Sequence, residues 1–231
     1  MPLNELAEVV GASAEAFVEP DRLDDTLRAI LDSALDSIKG FDRASLLVSV
    51  KGKVHERTST DDLAQKLDQL QIQARQGPAV EVLKGPQALI VRDLRHEQRW
   101  PRYVPQALQL GAMGQLSARM QLDRTGTLGS LNLYAGSESA PDDEAEWLAE
   151  VFAAQAAVAI GGATVVTNLN EAMETRKTIG QATGILMERF RIDEAHAFAY
   201  LRRESSHRNV KLREIAKEIV DSVDSRPPPS P

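Results

Sequence analysis

The strongest constraint on the fold of this chain lies in residues 176–220, where three short amphipathic patterns follow one another with polar breaks between them. From Arg176 to Phe190, Ile179, Ala182, Ile185, Leu186, Met187 and Phe190 recur at helical spacing. Gly184 interrupts that pattern; a helix glycine costs about 1 kcal/mol against alanine and predicts the close approach of a neighbouring helix. Asp193 is placed to cap a second helix with its side-chain oxygen, and Glu194 suits the positive end of that helix's dipole. Ala197, Phe198 and Leu201 form its expected buried stripe. The polar run Glu204–Arg208 ends it, and Asn209 is read as the cap of a third helix. There Leu212, Ile215, Ala216, Ile219, Val220 and Val223 make a narrow apolar stripe. Three helices sharing one small core follow.

The polar remainder of the segment carries Arg176, Lys177, Arg189, Arg191, Arg202, Arg203, Arg208, Lys211, Arg213 and Lys217. Such groups suit a phosphate partner, because binding RNA releases the counterions its phosphates condense. Charge alone does not establish that. Residues 171–226 hold eleven Lys/Arg against ten Asp/Glu, a net of +1, and a charge-rich helical surface is ordinarily a solvated face. The rest of the chain is markedly acidic, with 16 Lys/Arg against 24 Asp/Glu. The net charge of −7 is therefore concentrated outside this segment.

Specific residues carry more than the charge does. Ile179, Gln181, Ala182, Gly184, Ile185, Leu186 and Met187, then Ala197, Phe198, Leu201 and Arg202, then Ser205, Asn209, Lys211, Leu212, Ile215, Ala216 and Ile219 resemble the ANTAR module. That module is a three-helix RNA-binding domain of bacterial transcription antiterminators. The resemblance implies recognition of paired short stem-loops in nascent leader transcripts, which keeps a terminator hairpin from forming. Carried onto this chain, it implies RNA contact by Gln181, Arg189, Arg202, Ser205, Arg208, Asn209, Lys211 and Arg213. It implies a core of Ala182, Gly184, Leu186, Phe198, Leu201, Leu212 and Ala216. Thr183 stands where many members have lysine, a departure that removes one phosphate contact.

Upstream, Leu148, Val151, Gln155, Val158, Gly162, Val165, Leu169, Ala172, Arg176 and Ile179 recur at alternating spacings of three and four. That is a heptad seam. Its first half is expected to pack inside the preceding domain, and its second half to pair with the same helix of a second chain. Gly161-Gly162 is read as a close-packing point or a kink. Asp142-Asp143-Glu144, after Pro141, is a good helix start.

Residues 1–140 alternate helix and strand patterns. Leu23–Ile38 reads as an amphipathic helix, Ala44–Val50 and Val54–Ser59 as strands joined at Lys51-Gly52-Lys53, and Asp61–Gln76 as a helix. Ala88–Val91 reads as a short buried strand, and Leu108–Leu110 closes a further helix. Gln115–Leu122 and Gly129–Tyr134 read as paired strands turning at Asp123-Arg124-Thr125-Gly126. An antiparallel sheet with helices packed on it follows. This order, with Gln76-Gly77-Pro78-Ala79, Glu81-Val82-Leu83, Ile90–Leu94, Arg99-Trp100-Pro101, Gly111 and Gly129–Tyr134, is similar to the GAF domain, a bacterial sensor fold. The likeness covers roughly residues 5–160. It implies an unidentified small-molecule ligand or an upstream signalling protein. Ala79 stands where some members carry a cysteine, so covalent attachment there is impossible. His55 and His96 read as surface or hydrogen-bonded residues rather than ligands, and Trp100, between Arg99 and Arg102, as loop packing rather than a ligand platform.

The whole reads as α+β: a sensor at 1–160, a helical coiled-coil linker at 161–175, a three-helix module at 176–225 and a disordered tail at 226–231. The chain lacks cysteine, which excludes disulfides and cysteine metal sites. No unbroken run nears the ~18 apolar residues of a membrane span, and the acidic first residues do not read as a secretory leader. A cytoplasmic, homodimeric RNA-binding regulator without cofactor is the expectation. Its alternatives are a DNA-binding helix-turn-helix regulator and a protein-interacting GAF signalling module. No nucleophile–base pair, phosphate loop or carboxylate pair points to an enzyme.

Overall fold

The computed structural model describes residues 20–50, 53–123, 126–137 and 144–224. The expected Lys51-Gly52-Lys53 and Asp123–Gly126 turns, the Asp142-Asp143 helix start and the 226–231 tail fall wholly or partly outside them. The described elements run α1 (Pro20–Ser37), β1 (Arg43–Val50), β2 (Lys53–Ser59), α2 (Asp62–Ala74), α3 (Pro78–Glu81), β3 (Ala88–Val91), α4 (Val104–Gln109), β4 (Gly114–Asp123), β5 (Gly126–Ala135), α5 (Ala145–Phe190), α6 (Glu194–Arg208) and α7 (Leu212–Asp224). A 3-10 turn covers Leu94–His96. The chain divides into two compact units, residues 1–164 and 165–231.

In the first unit five strands form one antiparallel sheet in the order β2-β1-β5-β4-β3. Strand alternation sends Ala44, Leu46, Leu116, Ala118, Met120, Leu131, Leu133 and Ala135 to one face. There they pack against Leu27, Leu31, Ala34 and Ile38 of α1 and against Phe152, Ala153, Ala156 and Ala157 of α5. The opposite face is covered by α2, α3, α4 and the loop carrying Trp100, whose apolar contacts run through Ala64, Leu67, Val82, Leu94, Trp100, Tyr103 and Val104. Asp61 caps α2 by accepting a 2.8 Å hydrogen bond from the Ala64 amide. Gly129 lets β5 approach β1: a Cβ there would stand 1.8 Å from the Leu47 carbonyl oxygen.

Contrary to the expectation from unbroken apolar runs, α5 is long and apolar enough, by length and composition only, to cross a membrane. Its apolar residues from Leu148 to Ala159 have another use, filling the apolar core between the sheet and α1. The helix continues without a break through Gly161-Gly162.

In the second unit the C-terminal part of α5 packs with α6 and α7 around Ala182, Leu186, Ala197, Leu201, Ile215 and Ala216, joined by partly buried Ile179, Ile192, Tyr200, Leu212, Ile219 and Val220. Asp193 caps α6 by accepting from the His196 amide at 2.9 Å. Three expectations need correction. Asn209 ends α6 in the left-handed conformation (φ 51°) instead of starting α7, a position asparagine tolerates at little cost. Phe198, expected in the core, is 42% exposed, because Ala197 and Leu201 already occupy the inward line of α6. Gly184 is exposed, and a Cβ on it would meet nothing within 4 Å, so no helix approaches it.

Candidate functional site

The residues expected to touch RNA fall on three parts of the C-terminal unit. Gln181 and Arg189 are exposed on α5, and Arg202 is exposed midway along α6. Ser205, Arg208, Asn209, Lys211 and Arg213 gather at the α6–α7 turn. Within that turn the roles differ. The half-buried Ser205 hydroxyl donates to the Val210 carbonyl at 2.6 Å, which fastens the turn. Arg208 forms two hydrogen bonds to the Glu218 carboxylate at 2.6 and 2.9 Å. Those bonds hold the Glu218 carboxyl below its usual range. Lys211 and Arg213 are exposed at the start of α7 with no ion pair among the described residues. They are the cations at this turn best placed to meet a phosphate.

A groove between α5 and α6 was not singled out from the sequence. It is lined by Arg176, Ile179, Gly180, Thr183, Gly184, Met187, Glu194 and Phe198, with a volume of about 450 Å³. The signal for it was the pair Gly180 and Gly184, one helical turn apart beside an apolar stripe. Reading Gly184 as a packing contact hid it.

The first unit holds a second concentration of polar groups, under α2. Here the inner face of the sheet is polar and wholly buried: Ser45 on β1, Gln115 and Ser117 on β4, and Ser130, Asn132 and Tyr134 on β5. Asp68 and Gln71 reach down from α2. One Asp68 oxygen accepts from the Tyr134 hydroxyl and from Asn132 Nδ2, the latter at 3.2 Å. Gln71 donates to the Tyr134 hydroxyl at 2.9 Å and accepts from the Ala79 amide at 2.9 Å. Gln115 accepts from the Tyr103 hydroxyl at 2.7 Å and donates to Ser117 at 3.0 Å. Asp68 Oδ2, Asn132 Oδ1 and Ser130 Oγ have no hydrogen-bond partner among the described residues. Burial pushes the Asp68 carboxyl up to about 7, against the hydrogen bond from Tyr134. Burial in this cluster thus favours the protonated, neutral form of the Asp68 carboxyl.

Comparison with known proteins joins these features. A GAF domain model matches residues 21–161, and an ANTAR domain model matches residues 167–220. The chain belongs to the GAF family, and an ANTAR domain follows its GAF domain. No curated protein matches the chain significantly. Among solved structures, the GAF domain of an Acinetobacter phosphoenolpyruvate-protein phosphotransferase is 17% identical, with a TM-score of 0.54 over 71% of this chain and 95% of that one. A phycocyanobilin-bound GAF domain from a cyanobacterial phytochrome is 13% identical, with a TM-score of 0.52 over 71% of this chain and 97% of that one. The type II free methionine-R-sulfoxide reductase of Thermoplasma acidophilum is 12% identical, with a TM-score of 0.50 over 61% of this chain and 93% of that one. These likenesses are of fold.

The pairing is that of a regulator, a GAF domain joined to an ANTAR domain. Within the GAF domain, Ala79 donates its amide to Gln71 at the edge of the buried polar cluster. Trp100 is buried, donates to the Glu81 carboxylate at 3.0 Å and lies under the Arg99 guanidinium at 4.4 Å. His96 is paired with Asp93 at 2.8 Å, and no metal-binding group of three His, Cys, Asp or Glu occurs among the described residues.

Proposed function

We propose that the chain is a cytoplasmic RNA-binding transcription antitermination regulator. Its ANTAR domain binds paired stem-loops in a nascent leader transcript and keeps a terminator from forming, under control of the GAF sensor. The observation that carries this reading is the ANTAR match over residues 167–220, which coincides with the compact three-helix unit. The outer turn of that unit presents Lys211 and Arg213 without carboxylate partners among the described residues. The protein acts as a homodimer paired along α5, where Val165, Leu169 and Met173 are 64%, 60% and 60% exposed. A ligand or an upstream protein acting on the GAF domain shifts that pairing and so the alignment of the RNA-binding faces. Coupling of this kind needs one element with two states that both ends bias, and α5 is the candidate.

Replacing both Lys211 and Arg213 by alanine tests the placement of the interface. The double variant is expected to bind hairpin RNA more weakly and with a salt slope lower by about one to two, at unchanged helix content. Unchanged affinity in a gel-shift titration at fixed salt would remove both residues from the interface.

A further inference from the structure

Gly180 and Gly184 both weaken α5 relative to alanine, and at both positions a Cβ would meet nothing within 4 Å. Packing within the protomer therefore requires neither. Both lie in the open groove of about 450 Å³ between α5 and α6. Phe198 also lines it and keeps 42% of its surface exposed, beside Met187 at 36%. The charged residues of the lining are Arg176 and Glu194. Arg202 is exposed one turn beyond Phe198 on α6, the same side of that helix. The side chains of Arg176 and Arg202 have no ion pair or hydrogen bond among the described residues.

We propose that this groove is a base-reading pocket of the ANTAR domain, which takes an unpaired RNA base bearing an exocyclic amine. The proposal rests on the RNA-binding reading and adds a site to it, since none of the groove's residues belongs to the α6–α7 turn. Loop bases are recognised by stacking on aromatic rings and by hydrogen bonds to their edges. Phe198 offers the ring, and the two glycines leave α5 bare enough for a flat base to lie against its backbone. The Glu194 carboxylate accepts from an amine on the base edge. Arg176 and Arg202 meet the flanking phosphates. This set of charges disfavours the main competing occupant, a helix from a second copy. A packed helix would have to desolvate both Arg176 and Glu194, which is costly unless its own side chains pair with each. The exposed residues suited to such pairing, Val165, Leu169 and Met173, lie upstream of the groove.

The test uses the full-length chain and hairpin RNA selected in vitro for binding to it. Phe198→Ala removes the stacking ring from a half-exposed position, and Gly184→Leu fills the groove from a helix site with open space around it. Each is expected to weaken hairpin binding about tenfold or more. Gly184→Leu should do so while holding or raising the melting temperature, a combination that loss of folding does not produce. One loop position should lose affinity on replacement by uridine in the wild type, and no longer do so in Phe198→Ala. Wild-type affinity in both variants would overturn the pocket while leaving RNA binding intact. A change in oligomer mass with unchanged RNA affinity would also overturn it and assign the groove to a protein chain. Failure of the selection to yield any binding hairpin would overturn the pocket together with the RNA-binding reading beneath it.

Discussion

Gly129 and Asp68 show how single residues set the sensor's construction. Gly129 sits where β5 meets β1, and an added Cβ would fall 1.8 Å from the Leu47 carbonyl oxygen and 2.8 Å from the Met120 methyl. The backbone on the β1 side cannot yield without breaking the ladder. Gly129→Ala is therefore expected to destabilise the GAF domain by about 3 kcal/mol or more, read as a lower midpoint in denaturant melts. Asp68 sets the pH response. Burial raises its folded pKa to about 7 from an ordinary value of 3.8. The folded state then holds a proton that the unfolded state has released between those values. Its contribution to stability is complete below about pH 3.8 and declines as pH rises through about 7, with a slope of at most about 1.4 kcal/mol per pH unit. Asp68→Asn removes this decline. The stability difference between wild type and variant should shift against the wild type from pH 4 to pH 8, and a constant difference would show that Asp68 does not titrate there.

Among the elements, the strands were legible because apolar and polar residues alternate, as in Leu116, Ala118 and Met120 against Gln115, Ser117 and Arg119. The buried state of the polar half was not legible. Alternation normally marks a solvated face, and only the covering of the sheet by α2, α3 and α4 turns Ser45, Ser117, Ser130 and Asn132 into core residues. The same limit applies in the C-terminal unit. Periodicity placed Ala182, Leu186, Leu201 and Ala216 inside, where they are buried, but put Phe198 there too. A stripe read from spacing has no sharp edge, and Phe198 lies at that edge. The cations of the α6–α7 turn could be listed from sequence, whereas the Arg208–Glu218 pair joins residues ten positions apart on two helices and needed the fold. The element with most surface left to account for is α5. Val165, Leu169 and Met173 follow a four-residue spacing and are all more than half exposed. Leu169→Asp is expected to convert a dimer to a monomer in light-scattering mass measurements, with helix content retained. A wild-type chain of monomeric mass would end the dimer proposal outright.

At the scale of the whole molecule, charge and fold divide together. The acidic balance sits in residues 1–170 and the near-neutral, cation-bearing surface in the ANTAR domain. The GAF domain contributes a sheet with one apolar face and one that mixes apolar contacts with buried polar groups, and the ANTAR domain a small three-helix core. The account turns on whether the ANTAR domain's partner is structured RNA. The most direct measurement is a titration of the full-length protein, at one fixed salt concentration, against labelled RNA libraries carrying two adjacent hairpins, with loop-scrambled RNA and duplex DNA alongside. The account predicts tight binding to a subset of two-hairpin RNAs, lost on scrambling the loops and absent for duplex DNA. Equal binding to all three, from the intact chain and from residues 165–225 alone, would contradict it.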